Sequence, residues 1–429
     1  MSELAIRGGE PAVRGLLPAY PSMGQAEVDA VTEVVRSGCL SGFYGSAGPE
    51  FLGGPTVRAF EAAWAERYGV KHVVSVNSAT SGLFAAMGAV GVGPGDEVIV
   101  PCTTMSATAM APLVYGAIPV FADLEDETFC LDIAAVREAI TPKTKAILAV
   151  NLFGHPARLA ELRALADEQG LYLVEDNAQA PLGREGEARC GTVGHIGVFS
   201  LNFHKHIHTG EGGMCVTDDD RLAQRLQLIR NHGENLVETL GLEDATNIIG
   251  FNYRMTELSA AVGLAQTERI EEHVSDRERL AERLSEGTRG LPGWTVPAVR
   301  EGCRHNYYCW TVRYDEDVVG VDRATFSRAL EAEGFPHTQA YVQPLYLLPV
   351  FQRRVAFGRD GFPFNQSNRT YEKGLCPVGE RLHEREILFF EPCAYLVDDD
   401  QADQLVEAVR KVHAHAGELV AARDGRAVS

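Results

Sequence analysis

Short apolar runs rich in β-branched residues alternate with helical patterns between residues 73 and 220. A helix is expected to open near Thr80, and another carries Leu159, Leu162 and Ala166 on one face, with Gly170 at its C-terminal cap. This alternation predicts an α/β domain with a mostly parallel sheet. The predicted strands cover residues 73–76, 97–101, 118–123, 145–150, 171–176, 196–201 and 213–218.

The pattern changes near residue 271. A long charged helix over 270–287 precedes a strand over 307–314 and helices over 323–333 and 401–415. We therefore predict a large domain over residues 1–270 and a smaller α+β domain over 271–429, with the Gly/Pro-rich segment 290–297 near the junction. The first ~30 residues are expected to pack on the smaller domain or on a partner subunit. The glycine-rich segment 42–55 predicts a mobile loop.

Charge and composition restrict the classes of function. The chain has 39 Lys and Arg against 59 Asp and Glu, a net charge of −20, which disfavours nucleic acid or an anionic membrane as a partner. The nine cysteines form no C-x-x-C pair, which disfavours a disulfide framework and a zinc site. Since the sequence also lacks a signal-peptide pattern and a membrane-spanning apolar run, we expect a cytoplasmic protein without a metal.

The segment SLNFHKHIHTGEGG, residues 200–213, places Lys205 in a loop between two predicted strands. A loop lysine alone is most simply a solvated side chain. The glycines that end the segment leave bare backbone, which permits close approach of another segment or a ligand. Because ligands of parallel sheets bind beyond the carboxyl ends of the strands, Asp176, Ser200 and the loop after Asn77 are expected to lie close together.

The segment VEDNAQAPLG, residues 174–183, begins at the end of a predicted buried strand. A carboxylate at Asp176 is costly there unless it pairs with a cation, although a capping Asp at a strand-to-helix turn explains the residue equally well. Gln179 lies three residues further on. Lys205 follows Asp176 by 29 residues, which matches the gap between adjacent strands and favours a shared site.

The segment NSATSGL, residues 77–83, follows a predicted strand and opens a helix. The backbone N–H groups of Ala79 and Thr80 can hold a phosphate there, and Ser200 can add a hydroxyl. An ordinary N-cap gives the same pattern. Together with an amine and a carboxylate, however, these are the parts that pyridoxal 5′-phosphate (PLP) requires. The sequence thus predicts a PLP site, with Asp176 beside the ring nitrogen and Gln179 donating to the phenolic oxygen.

Six ordered segments, spread over almost the whole chain, resemble the DegT/StrS family of sugar and aminocyclitol aminotransferases. They are NSATSGL, GPGDEVIVP, PVFADLEDETFCLD, EDNAQA, KHIHTGEGG and GFNYRMTELSAA. The resemblance implies the PLP-dependent transferase fold of type I, a homodimer with shared active sites, and Lys205 as the Schiff-base lysine. It also implies that Asn252 reaches the phosphate from the other subunit, with Arg254 close by. The same GFNYRM segment is also a plausible loop that packs in the subunit core.

Three positions depart from the family pattern. Met105 stands where the family usually has an aromatic residue over the cofactor ring, and a thioether can pack on such a ring. His206 follows the lysine where the family often has Asn; with His208, it either tunes proton transfer or is a partly exposed loop residue. Asn151 stands where the family usually has His, so the role of that position stays open.

The resemblance implies a ping-pong transfer of an amino group from glutamate or glutamine to a keto-sugar or keto-cyclitol. The GGEP start and the PLY segment favour the aminocyclitol and antibiotic-biosynthesis branch. A dehydratase or lyase of the same family is the alternative, which Lys205 disfavours. A PLP-binding regulator is a distant one, since no segment is left for a DNA-reading module. Tyr341 and Tyr346 lie where relatives place substrate-facing loops, although packing is the simpler expectation for both.

Overall fold

Seven strands form a central sheet in the order β1-β9-β8-β5-β4-β2-β3, in a computed structural model that describes residues 3–419. Only β9 runs against its neighbours β1 and β8, and the remaining pairs are parallel. The strands are β1 (His72–Val76), β2 (Glu97–Pro101), β3 (Ile118–Ala122), β4 (Thr144–Val150), β5 (Tyr172–Asp176), β6 (Arg184–Glu185), β7 (Ala188–Arg189), β8 (Ile196–Ser200), β9 (Gly213–Thr217), β10 (Trp294–Thr295), β11 (Cys303–Arg304), β12 (Trp310–Tyr314), β13 (Thr338–Gln339) and β14 (Ile387–Phe390).

The helices cover both halves of the chain, and many begin at a residue whose side chain caps the first turn. Ser78, Asp132, Asp219 and Thr256 each accept a hydrogen bond from the backbone three residues on. The helices are α1 (Gln25–Ser37), α2 (Pro55–Tyr68), α3 (Ala79–Ala89), α4 (Ala107–Val114), α5 (Ile133–Ala139), α6 (Leu159–Gln169), α7 (Asp220–Arg230), α8 (Glu257–Glu268), α9 (Ile270–Thr288), α10 (Glu316–Val319), α11 (Arg323–Ala332), α12 (Pro349–Gln352), α13 (Pro377–Arg381) and α14 (Asp399–Ala414).

The predicted α/β class and mostly parallel sheet are confirmed, and each predicted strand of the sheet lies within a residue or two of its position. The predicted strand over 307–314 is too long, because Tyr307 adopts a left-handed φ of 51° and β12 begins only at Trp310. The segment 290–297 contains β10, which pairs with β12. The glycine-rich segment 42–55 includes a short 3₁₀ turn and the first residue of α2.

A second apolar core lies on a four-stranded antiparallel sheet, in the order β10-β12-β14-β13. Buried side chains of α9, α11 and α14 pack in this core, as do Leu4 and Val13 from the start of the chain. Glu333 fixes the early segment, since its carboxylate accepts hydrogen bonds from the N–H groups of Ala5 and Ala12 at 2.8 and 2.9 Å. The division at residue 270 stays a prediction.

Within residues 3–419, no helix is both long enough and apolar enough to span a membrane. The cysteines of this part of the chain are free thiols. The one group there with metal-ligand proximity is Cys102, Asp123 and Cys376. The Asp123 carboxylate already accepts hydrogen bonds from the N–H groups of Val378 and Gly379, both at 2.9 Å, and so fixes the start of α13.

Candidate active site

A cavity of about 190 Å³ opens at the carboxyl edge of the central sheet. It lies beyond the ends of β4, β5 and β8 and against the N-terminus of α3, where ligands of parallel sheets are expected. Its walls include the residues that the sequence assigned to cofactor binding, with one exception. The seven predicted residues on the cavity wall are Ala79, Thr80, Met105, Asp176, Gln179, Ser200 and Lys205.

Lys205 is held by a compact loop between β8 and β9. The loop is closed by hydrogen bonds from the Leu201 N–H to the Gly212 carbonyl and from the Thr209 N–H to the Leu201 carbonyl, both 2.9 Å. The ammonium nitrogen of Lys205 lies 4.2 Å from the centre of the Tyr308 ring. Burial lowers the pKa of Lys205 from its ordinary value of 10.5, and the Asp176 carboxylate partly opposes this shift.

Asp176 is the last residue of β5 and is buried. One carboxylate oxygen accepts a hydrogen bond from the Ala178 N–H at 3.0 Å, and the other accepts one from the Thr108 hydroxyl at 2.9 Å. Burial raises the pKa of Asp176, while these two hydrogen bonds and Lys205 act in the opposite direction. A carboxylate has about four lone-pair sites, so Asp176 retains the capacity to accept from a ligand in the cavity.

Gln179 has a fixed amide orientation. Its carbonyl oxygen accepts a hydrogen bond from the Phe153 N–H at 2.6 Å, and its amide nitrogen donates to the Tyr341 hydroxyl at 2.9 Å. An amide nitrogen carries two N–H groups, so one remains free for a ligand. The donor role that the sequence suggested for Gln179 is therefore chemically open, and Tyr341 lines the cavity beside it.

The first turn of α3 forms an anion cradle. The Ser78 hydroxyl accepts a hydrogen bond from the Ser81 N–H at 3.0 Å. Within residues 3–419, the N–H groups of Ala79 and Thr80 donate to no acceptor, as expected at a helix start. Gly213 permits this arrangement, because a Cβ atom there would lie 2.7 Å from the Ala79 nitrogen. The predicted close approach at the glycines is therefore present.

Met105 and Ser200 complete the predicted wall. The Met105 side chain is 58% exposed at the cavity and lies beside the buried Thr104. Ser200 ends β8, and its hydroxyl accepts a hydrogen bond from the Asn202 N–H at 3.3 Å. Both side chains thus remain accessible to a ligand in the cavity.

Asn252 is the exception, since it is not part of this cavity wall. Its side-chain oxygen accepts a hydrogen bond from Arg254 at 2.8 Å, and its carbonyl accepts one from the Asn77 side chain at 3.3 Å. Asn252 is exposed on the surface of the chain. Its place in the site of a second subunit stays a prediction.

The three positions whose roles the sequence left open have distinct environments. His206 is fully buried and donates to the Asn306 carbonyl from Nε2 at 2.9 Å, so the alternative of a partly exposed loop residue is wrong for it. Burial lowers the pKa of His206 to about 3. His208 is half-buried and pairs with the Ser22 hydroxyl at 2.7 Å. Asn151 is buried, and its side chain accepts a hydrogen bond from the Ala157 N–H at 2.7 Å.

Sequence reasoning missed three contributors to the site. Thr108 binds Asp176, and Tyr308 contacts Lys205, yet neither residue type is distinctive in its segment. Glu175 precedes Asp176 and accepts hydrogen bonds from the N–H groups of Gly191, Val193 and Gly194 at 2.6–2.8 Å. The adjacent acidic pair at the end of a buried strand was a visible signal for Glu175.

Tyr346 fulfils the expectation of packing. It is fully buried, and its hydroxyl donates to Glu380 and accepts a hydrogen bond from the Cys376 N–H at 3.2 Å. It therefore supports α13 and does not line the cavity. Tyr341 departs from that expectation, because it lines the cavity and binds Gln179.

Known proteins are similar to this chain in sequence and in fold. The L-glutamine:2-deoxy-scyllo-inosose aminotransferase of Streptoalloteichus tenebrarius is 35% identical over 434 residues, which covers 97% of this chain and 99% of that protein. The spore coat polysaccharide biosynthesis protein SpsC of Bacillus subtilis is 32% identical over 402 residues, with coverage of 92% and 96%.

The solved structure of DesV from S. venezuelae superposes with a TM-score of 0.76 at 30% identity, over 92% of this chain and 99% of that one. Its likeness confirms the predicted aminotransferase fold. The DegT/DnrJ/EryC1/StrS aminotransferase family model matches residues 21–410. The resemblance seen in the sequence is thus confirmed, and the chain belongs to the DegT/DnrJ/EryC1/StrS aminotransferase family.

Proposed function

We propose that this aminotransferase binds PLP through Lys205 and moves an amino group from L-glutamine or L-glutamate to a keto-cyclitol or keto-sugar. The observation that carries the proposal is the convergence of predicted residues on one cavity. A lysine, a buried carboxylate with an oriented amide three residues on, and a free helix N-terminus come from three separate parts of the sequence and meet there.

The residues present match the chemistry of PLP group by group. The free N–H groups of Ala79 and Thr80 suit a phosphate. Asp176 has spare acceptor capacity for a protonated ring nitrogen, and its burial is explained by such a partner. The Lys205 amine suits the aldehyde, and the free N–H of Gln179 suits the phenolic oxygen. Five of the seven predicted residues of the cavity wall are thereby matched to a group of the cofactor.

The chemical work of the protein follows from these assignments. PLP supplies a ring that takes up the electrons released at the α-carbon of the donor. Asp176 favours that state by keeping the ring nitrogen protonated. Lys205 Nζ takes the proton from the α-carbon of the donor and delivers it to C4′ of the cofactor. Because burial lowers the pKa of Lys205, more of the amine is neutral near physiological pH, which a base requires.

A homodimer with shared sites is part of the proposal. Among the described residues 3–419, Lys205 is the only Lys or Arg on the cavity wall, although an amino-acid donor and a phosphate both bring negative charge. Phe203, Tyr44 and Ile249 are 62–68% exposed, as is typical of subunit interfaces. Asn252 then reaches the phosphate of the other subunit. Mixed dimers of Lys205→Ala and Asn252→Ala chains should regain activity, since one of their two sites is intact; no recovery would contradict sharing.

Relatives support the choice of acceptor and donor. Three named L-glutamine:2-deoxy-scyllo-inosose aminotransferases are 33–35% identical over 97–98% of this chain, whereas a GDP-perosamine synthase matches over 68% of it. We therefore place keto-cyclitols first, with L-glutamine as the donor. This choice is consistent with a cytoplasmic enzyme of antibiotic or sugar biosynthesis.

A donor and acceptor screen tests the activity. The full chain with PLP is incubated with L-glutamine and a series of keto-cyclitols and keto-sugars, and the 2-oxo acid from the donor is quantified. Transamination predicts one 2-oxo acid for each aminated acceptor, whereas loss of the acceptor without 2-oxo acid would identify a dehydratase. Lys205→Ala should abolish turnover. Lys373→Ala, an exposed surface lysine, is the matched control and should retain it.

A further inference from the structure

Tyr308 forms one wall of the cavity and faces the lysine directly. Tyr308 is 5% exposed, and the Lys205 ammonium nitrogen lies 4.2 Å from the centre of its ring. A cation over a tyrosine face within about 6 Å is attracted by the ring quadrupole, and more strongly so where water is excluded. The contact is therefore close enough to stabilise the free ammonium in one place.

The position of Tyr308 is fixed by its backbone. The Tyr308 N–H donates to the Asn306 side-chain oxygen at 3.2 Å, and the next N–H, that of Cys309, donates to the Phe153 carbonyl at 3.2 Å. The ring therefore has little freedom to move when the lysine moves.

The lysine loop is tied to the same residue. Asn306 accepts a hydrogen bond from His206 Nε2 at its carbonyl, 2.9 Å, and donates from its side chain to the Pro181 carbonyl at 2.7 Å. His206 directly follows Lys205 in the chain. Asn306 thus holds both the loop that carries the amine and the ring that the amine contacts, which sets their separation.

A transfer reaction requires such control of the amine. Lysine has a flexible four-carbon chain, and Lys205 must leave the cofactor and return to it in each cycle. Other groups around the amine do not hold it, since no hydrogen bond or ion pair of its ammonium is seen within residues 3–419. The titratable side chains near Lys205 are Asp176, Glu391, Cys309, Cys393, His204 and His206.

We propose that Tyr308 is a positioning residue whose ring face holds the ammonium of Lys205 that forms when the detached lysine takes the proton from the α-carbon. This role rests on the proposed function, in which Lys205 alternates between bound and free states. Its hydroxyl is not required, because the attraction comes from the ring face.

Three substitutions separate the ring face from shape and from the hydroxyl. Tyr308→Phe removes the hydroxyl and keeps the face. Tyr308→pentafluorophenylalanine keeps a ring of similar shape but reverses its quadrupole, and Tyr308→Leu removes the ring. The pKa of Lys205 is measured in the cofactor-free full chain by competitive acetylation over a pH series, with the Lys205 peptide quantified by mass spectrometry. Surface Lys373 is the internal reference.

The ring face favours the charged amine, so its loss should lower the pKa of Lys205. We expect a downward shift of about one unit for pentafluorophenylalanine and for Leu, and a value close to that of the unmodified chain for Phe. In the chain with PLP, Lys205 acts as a base, so the acidic limb of the L-glutamine half-reaction should shift in the same direction, and Tyr308→Phe should restore it.

The idea is overturned if the fluorinated variant leaves the pKa of Lys205 unchanged, or if Phe shifts it as much as pentafluorophenylalanine does. If Tyr308→Leu does not fold, the comparison of Tyr308→pentafluorophenylalanine with Tyr308→Phe still tests the proposal. Failure of this proposal can be distinguished from failure of the proposed function. The acetylation experiment needs no cofactor, and covalent attachment of PLP to Lys205 is measured separately.

Discussion

Thr108 and Asp176 illustrate how much of this site depends on single hydrogen bonds. Within residues 3–419, the Thr108 hydroxyl is one of two donors to the carboxylate of Asp176, a residue that is 3% exposed. A hydrogen bond to a charged group contributes about 1.5–3 kcal/mol. Its loss in a buried site destabilises the ionised carboxylate more than the neutral acid. The hydrogen bond from Thr108 therefore lowers the pKa of Asp176 and opposes the effect of burial, which raises it.

Thr108→Val should raise the pKa of Asp176 by roughly one unit or more. A neutral Asp176 no longer favours the protonated ring nitrogen, so the acidic limb of the kcat profile should shift to higher pH. Thr108→Ser keeps a hydroxyl and is the matched control. A pH series of kcat for the three chains checks this, and identical acidic limbs for Val and the unmodified chain would speak against the role.

His206 predicts a dependence of stability on pH. Its pKa in the folded chain is about 3, below the ordinary 6.5, so the unfolded chain binds the proton first as pH falls. Stability is fully present above about pH 6.5 and is lost progressively below it, at about 1.4 kcal/mol for each pH unit.

His206→Gln keeps an amide donor for the Asn306 carbonyl but does not titrate. Between pH 7.5 and 5.5, its free energy of unfolding should therefore fall by about 1.4 kcal/mol less than that of the unmodified chain. Denaturant unfolding at the two pH values gives the comparison. Equal losses would show that the His206 side chain does not sense the pH.

At the scale of elements, the start of α3 depends on the strand beside it. A Cβ atom on Gly213 of β9 would lie 2.7 Å from the Ala79 nitrogen and 2.8 Å from the Ser78 carbonyl carbon. Since both contacts are to backbone, they cannot be relieved by a side-chain rotation. The helix N-terminus, with its free N–H groups, would have to move.

Gly213→Ala should therefore weaken PLP binding about tenfold or more, which corresponds to the loss of one charge-assisted hydrogen bond to the phosphate. Gly93→Ala is the control, because a Cβ atom there meets no other atom within 4 Å. Spectrophotometric titration with PLP measures both dissociation constants. An unchanged constant for Gly213→Ala would contradict the cradle assigned to α3.

The elements that the sequence predicted well are those whose signal is local. Strands β2 and β3 are buried at every position, so an unbroken apolar run was enough to find them. The Gly170 cap was likewise local, and it adopts the expected left-handed φ of 66°. Asp176 ends one recognisable strand and Lys205 follows another. The sequence was therefore enough to place both residues in one site.

The features that escaped prediction depend on contacts between distant segments. Tyr308 meets Lys205 across 103 residues of sequence, and the buried His206 finds its hydrogen-bond partner at Asn306, 100 residues away in the sequence. Strand β12 begins later than predicted, after the left-handed Tyr307, which no residue pattern marks.

At the scale of the whole molecule, helix α14 and the segment 5–12 meet at one buried ion pair. Lys411 of α14 lies 2.8 Å from Glu333, and their side chains are 2% and 0% exposed. Glu333 also binds the backbone of the first residues, while Lys411 donates to the Glu10 carbonyl at 2.8 Å. Removal of one partner from such a pair leaves an uncompensated charge in the core.

Lys411→Met should therefore lower the free energy of unfolding by about 3–5 kcal/mol. Arg283→Ala breaks the Arg283–Asp403 pair, which is exposed, and its unfolding midpoint should hardly change. Denaturant unfolding of both variants provides the measurement. A Lys411→Met chain as stable as the Arg283→Ala chain would show that the buried pair does not hold α14 and the segment 5–12 together.

The central claim is a covalent link between PLP and one particular amine. Sodium borohydride treatment of the full chain with PLP, followed by proteolysis and mass spectrometry, locates the reduced cofactor directly. The account predicts an adduct on Lys205 alone. Absence of an adduct, or its appearance on Lys71, Lys143, Lys145, Lys373 or Lys411 in place of Lys205, would contradict it.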